Sequence, residues 1–131
     1  VEKTDLKHVT KNQPSEDQVT DMLLAWKIVK AVKSNAIVIV KDGAMIGHGG
    51  GQTSRVRAMD IAIREAGERA EGAVLASDAF FPFPDAIEIA GKAKIACIIQ
   101  PGGSIKDEDV FAKANELGIA MTLTATRAFL H

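Results

Sequence analysis

Ala73-Val74-Leu75-Ala76-Ser77-Asp78-Ala79-Phe80-Phe81-Pro82-Phe83-Pro84-Asp85 opens a segment that runs on to Lys94-Ile95-Ala96-Cys97-Ile98-Ile99-Gln100-Pro101-Gly102-Gly103-Ser104. Two short apolar runs, Ala73 to Ala76 and Lys94 to Ile99, each close on a loop rich in proline or glycine. Short apolar runs bounded by turn residues read as buried strands. Between them lies a helix reaching about Lys92, and Pro84 suits its first turn because it has no N–H to lose there. Strand, helix and strand at this spacing predict a parallel pair joined by a crossover, in a sheet covered on both faces.

The pattern extends in both directions. Downstream, a helix from about Lys106 to Leu117 is capped by Gly118 and leads to a strand from Ile119 to Leu123. Upstream, residues 1–14 are polar and read as a lead-in. Ser15 and Gln18 then form a capping box for a helix with Val19, Met22, Leu23, Trp26, Val29 and Val32 at helical spacing, ending near Ser34-Asn35. Ala36 to Val40 and Ala44 to Ile46 read as a hairpin, because Asp42-Gly43 supplies the positive φ of a two-residue turn. Gly47 to Gly51 then breaks regular structure, and a helix follows from about Ser54 to Ala70, with Val56, Met59, Ile63 and Ala66 facing inward. The fold class is therefore α/β: a three-layer α/β/α sandwich around a mixed sheet, in the order α-β-β-α-β-α-β-α-β.

A chain of 131 residues suits one domain and can bury a core without staples. The net charge of −1 provides no global field for nucleic acid or an anionic membrane, so neither is an expected partner. No apolar stretch approaches the roughly 18 residues of a membrane span. Cys97, the single cysteine, sits in an apolar run; it reads as a buried thiol in a reducing, cytoplasmic setting.

Ligands of such sheets gather beyond the C-terminal strand ends. The loop after the Ala73–Ala76 strand holds Phe80, Phe81 and Phe83, two prolines and Asp85. A stiff aromatic wall beside a carboxylate suits a flat heterocycle bearing N–H donors; core packing at a strand end is the other reading. Gly47 to Arg55 is a glycine-rich run entering a helix, which suits an anion or is simply a tight turn. Arg55 is the unusual residue: a cation at the positive end of a helix is tolerable if it points outward to something negative. Gln100 to Ser104 reads mainly as a strand–helix connection, with Asp107, Glu108 and Asp109 favouring the helix start. Arg127, Phe129 and His131 share one face of an extended tail, a set that suits a phosphorylated heterocycle.

A zinc deaminase, which has an α/β layout of this sort, needs His-x-Glu and Cys-x-x-Cys. The chain has one cysteine, no His-x-Glu, and three scattered histidines at His8, His48 and His131, so no zinc is expected.

Taken together, Ala25-Trp26-Lys27-Ile28-Val29-Lys30, Lys33-Ser34-Asn35-Ala36, Gly51-Gln52-x-Ser54-Arg55, Ala76-Ser77-Asp78-Ala79-Phe80-Phe81-Pro82-Phe83, Ile99-Gln100-Pro101-Gly102-Gly103-Ser104 and Arg127-x-Phe129-x-His131 resemble the AICAR transformylase/IMP cyclohydrolase family, in its C-terminal portion. The resemblance covers about Asp5 to His131 and implies a single domain, the second lobe of the transformylase region, similar to the cytidine deaminase fold without zinc. It implies formyl transfer from the co-substrate 10-formyltetrahydrofolate to AICAR in purine (IMP) biosynthesis. It also implies that a catalytic Lys-His pair comes from a first lobe; Lys7-His8 falls in the lead-in and is not equated with it.

By resemblance, Asn35 and His131 lie near the reacting carboxamide, Arg127 meets the nucleotide phosphate and Phe129 lies beside the AICAR base. Arg55, Val56, Phe80, Pro82, Phe83 and Asp85 line the folate site, with Asp85 as the pterin-binding carboxylate. A monovalent cation, K+, is implied near Ser34 and Asp78. Ala36, His48, Gly50 and Pro84 depart from residues common in the family. The expected partners are AICAR, folate, and the first lobe or a second copy of the chain. The alternative is a non-catalytic one-lobe relative that binds nucleotide or folate as a sensor or assembly subunit.

Overall fold

The computed structural model describes residues 6–32, 36–50, 55–81 and 84–124. The elements in chain order are β1 (Lys7–His8), α1 (Glu16–Ala31), β2 (Ile37–Lys41), β3 (Ala44–Gly49), α2 (Arg55–Ala66), β4 (Val74–Ser77), α3 (Asp85–Lys92), β5 (Cys97–Gln100), α4 (Asp107–Leu117) and β6 (Ala120–Leu123), with a 3-10 turn at Gly67–Ala70. The six strands form one sheet in the order β1-β6-β5-β4-β2-β3. β4, β5 and β6 are parallel, while β2 is antiparallel to both β3 and β4, and β1 is antiparallel to β6.

Alternation along the strands builds two apolar layers. Ile37, Ile39, Leu75, Ile98 and Met121 pack with buried residues of α2, α3 and α4, together with Phe81. Val38, Val40, Val74, Ala76, Cys97, Ile99 and Ala120 pack under α1, against Met22, Ala25, Trp26 and Val29. One helix therefore covers one face and three cover the other, the expected three-layer sandwich. Burial, with Asp21 adding a smaller push, raises the Cys97 thiol to about 12, so it stays protonated and inert.

Local signals act as expected in several places. Ser15 and Gln18 close a reciprocal capping box. Asp42 and Gly43 take φ of 52° and 78° in the hairpin turn, and their N–H groups donate to the Asp21 carboxylate on α1 at 3.1 and 3.0 Å. Gly118 caps α4 at φ 73°.

Four expectations need correction. The lead-in is not merely polar coil. Lys7 and His8 pair with Leu123 and Thr122, His8 Nδ1 bonds Thr122 Oγ1 at 2.6 Å, and Thr10 Oγ1 accepts from Met121 N at 2.9 Å. The Gly47-His48-Gly49 run does not break the strand but completes β3. A Cβ on Gly47 or Gly49 would fall onto the carbonyl oxygen of Ala62 or Ala58, so glycine is what lets α2 lie directly on this strand. That contact turns α2 so that Ala58, Met59, Ala62 and Ala66 face inward, leaving Val56 exposed. β5 begins at Cys97 rather than Lys94, because Lys94 adopts φ 64° in a turn whose N–H bonds back to Gly91 O.

Candidate functional site at the strand ends

β2 runs antiparallel to β4, so the start of β2 lies beside the end of β4, where Ile37 pairs with Ser77. Pairing continues one step further with a change of partner. Asp78 N–H donates to Ala36 O at 3.3 Å, and Ala36 N–H donates to the Asp78 carboxylate at 3.1 Å. Ser77 Oγ then donates to Ala79 O at 2.7 Å and turns the chain out of the sheet.

Arg55, the first residue of α2, reaches into this turn. Its Nη1 donates to Phe80 O at 3.0 Å, and its Nη2 stands 3.9 Å from Asp78 Oδ1. The two side chains are only 12% and 16% exposed. Burial lowers the Arg55 pKa and the Asp78 charge pulls it back up, as for a guanidinium held against a carboxylate away from bulk water. The outward-pointing arginine expected from the helix dipole is therefore corrected: Arg55 meets a negative group of its own chain.

The aromatic loop divides. Phe81 is fully buried in the core, whereas Phe80 keeps 38% of its surface exposed above it. Val56, one residue after Arg55, is exposed as well, and Asp85 is exposed at the start of α3. Asp85, Phe80 and Val56 are thus all solvent-facing on elements that meet Arg55 or follow its loop. Ser34, Asn35, Pro82, Phe83, Arg127, Phe129 and His131 lie outside the described residues.

The loop after β5 has a different character. Gly102 N–H donates to Gln100 Oε1 at 3.1 Å, Gly103 and Ser104 N–H donate to the Asp107 carboxylate at 2.8 and 3.1 Å, and Lys106 N–H donates to Ser104 Oγ at 3.0 Å. Its amides hold the chain's own acceptors, as a strand–helix connection should. Asp107 is the residue whose part the sequence understated; its place four positions after Gly103 and three after Ser104 was the available signal.

Asp78 Oδ1 accepts the Ala36 N–H, and Arg55 Nη2 stands beside the same oxygen. Ser34, the other residue expected near a monovalent cation, lies outside the described residues, and no step is assigned to such an ion. Among the described residues no three His, Cys, Asp or Glu side chains are grouped to hold a metal. No helix among them is long and apolar enough to cross a membrane.

This architecture is that of the cytidine deaminase-like sandwiches. It is similar to Acinetobacter baumannii RibD, with a TM-score of 0.55 at 24% identity over 80% of this chain and 34% of that one. It is also similar to a dCMP deaminase from the cyanophage S-TIM5, with a TM-score of 0.50 at 16% identity over 83% of this chain and 98% of the other. Identity this low speaks for the fold alone. The sequence identifies the family: residues 1–65 match the AICARFT/IMPCHase bienzyme model, and the whole chain is 56% identical to the bifunctional purine biosynthesis protein PurH of Oceanobacillus iheyensis. The PurH of Trichodesmium erythraeum is 56% identical over 98% of the chain and that of Bacillus subtilis 56% over 93%. The chain belongs to the AICARFT/IMPCHase bienzyme family. It spans about a quarter of these relatives' length, at 26%, 25% and 24%.

Proposed function

We propose that this chain is the second lobe of an AICAR transformylase, acting in purine biosynthesis by binding AICAR and 10-formyltetrahydrofolate at the strand ends. Family membership supports the class of chemistry. Within the chain, the observation that carries the reading is the split between Phe81, buried as core, and Phe80, exposed in the loop that leads to Asp85. Core packing accounts for the first ring and leaves the second facing solvent, where a flat pterin could stack while Asp85 accepts its N–H groups. Arg55, Val56, Pro82 and Phe83 complete that wall in this reading. Asn35, Arg127, Phe129 and His131 hold AICAR, with Arg127 on the phosphate.

The reaction needs more than this lobe. The AICAR amine is conjugated with its ring and carboxamide, so its nitrogen is a weak nucleophile. It attacks the formyl carbon, the bond from that carbon to the folate nitrogen breaks, the amine proton passes to a base, and the leaving nitrogen takes a proton from an acid. Asn35 and His131 would orient the carboxamide and the tetrahedral intermediate. The acid/base Lys-His pair would come from the first lobe. Lys7-His8 is not equated with that pair in this reading; both residues lie on the edge strand β1, where His8 bonds Thr122.

The test is formyl transfer by the 131-residue chain, alone and with the first lobe supplied. Little or no turnover alone and restored turnover with the partner is the expected result. Robust transfer by the isolated chain would show that the acid/base groups are misplaced. Binding of both ligands with no turnover in either arrangement would make the chain a non-catalytic binding relative. Arg127→Ala, with the lobe present, should weaken AICAR far more than its dephosphorylated nucleoside, since only the nucleotide offers an anion to a guanidinium. Equal loss for both would remove the phosphate role.

A further inference from the structure

We infer that Arg55 and Asp78 are positioning residues that couple the nucleotide half of the site to the folate half. The inference rests on the reading proposed above and adds a physical link between its two subsites. Three segments meet at these two side chains. Ala36, next in sequence to Asn35, gives its N–H to Asp78 at 3.1 Å and takes the Asp78 N–H on its carbonyl at 3.3 Å. Arg55 Nη2 faces the same carboxylate oxygen at 3.9 Å, and Nη1 holds the Phe80 carbonyl at 3.0 Å. A continuous polar path therefore runs from the segment of Asn35 to the backbone of the aromatic wall.

Chemistry and position both suit a coupling role. The guanidinium is a planar fork, so directing one Nη to Asp78 fixes where the other can hold Phe80. Both side chains are mostly buried, so water competes weakly and the electrostatic link is stronger than at an open surface. The fork grips the carbonyl of Phe80 rather than its ring, so the link sets the place of the loop while leaving the ring's exposed surface to a ligand. A ligand that orders either end then lowers the cost of ordering the other.

The test measures the dissociation constant of a folate analogue with and without saturating AICAR, in protein that carries both lobes. The reciprocal titration must give the same factor by linkage. Wild type should show AICAR tightening the analogue by about tenfold, within the usual range of coupling between sites. Asp78→Asn keeps an acceptor for Ala36 N–H but removes the charge facing Arg55; Arg55→Lys keeps the charge but removes the fork. Each should cut the factor to about twofold or less. Asp78→Asn should in addition leave the affinity for either ligand alone within about threefold, whereas Arg55→Lys, at a residue of the folate wall, is read on the coupling factor and on the affinity for AICAR alone. The second variant guards against one that folds poorly, and a merely structural role would shift thermal stability without changing the coupling factor. Retention of the full factor in both variants, or no coupling in wild type despite binding of both ligands, overturns the inference. Wild type binding neither ligand would overturn the proposed function, and the inference with it.

Discussion

The run from β3 into α2 and the loop from β5 into α4 look alike in the sequence, for both are rich in glycine and both lead into a helix. Their described parts differ in almost every physical respect. The α4 side is complete in itself: Asp107, Glu108 and Asp109 occupy its first turn, and the Asp107 carboxylate takes two loop amides. This is the arrangement that helix electrostatics favours. On the α2 side, glycines are used for packing, because Gly47 and Gly49 bring the strand against the backbone of Ala62 and Ala58. Its first turn has no acidic residue and opens with Arg55. The unfavourable cation is offset by Asp78 and the Phe80 carbonyl. A position that breaks a local rule at some cost is where a functional role is expected, and here that position is Arg55, beside the exposed ring of Phe80.

Substitutions can break or sharpen this contrast. The largest effect is expected from Gly49→Ala, which places a methyl group onto the Ala58 carbonyl. The strand and helix would have to separate, costing about 3 kcal/mol, the upper end of overpacking penalties. The shift in the urea midpoint, followed by Trp26 fluorescence, measures it; a loss below about 1 kcal/mol would mean that the close approach of α2 is not needed. Asp107→Ala should cost about 1–2 kcal/mol, because two loop amides lose a charged acceptor. The same denaturation experiment checks this, and an unchanged midpoint would mean that the α4 loop holds its shape by other means. Gly50→Ala should be the mildest, within about 0.5 kcal/mol, as for changes away from packed features. Among the described residues an added methyl there meets Ala36 Cβ at 3.8 Å and Val32 Cβ at 4.0 Å, ordinary contacts. A large loss at Gly50 would show that the whole glycine run, not only Gly47 and Gly49, is under packing constraint.

Elements with local causes were readable from the sequence. The capping box at Ser15, the Asp42-Gly43 turn, the Gly118 cap and the apolar cores of β2, β4, β5 and β6 all depend on nearby residues. Features set by distant partners were not readable in the same way. β1 consists of two exposed residues with no apolar pattern, and it exists because β6 offers an edge to pair with. Val56 faces solvent although the periodicity of α2 points it inward, because the rotation of the helix is set by the glycines of β3. At the site, the unusual placement of Arg55 was visible in the sequence. Its partner was not, since Asp78 reaches it only through the pairing of β2 with β4.

The most direct test of the account compares two aspartates that each stand at the start of a helix, Asp85 of α3 and Asp107 of α4. Titration of a folate analogue into wild type, Asp85→Ala and Asp107→Ala, with the first lobe present, should separate them. Asp85→Ala should weaken the analogue by about 1.5–3 kcal/mol, the value of a charged hydrogen bond, with AICAR affinity nearly unchanged. Asp107→Ala should leave both affinities as in wild type, because that carboxylate is occupied by its own loop. Superimposable folate curves for wild type and Asp85→Ala would contradict the account.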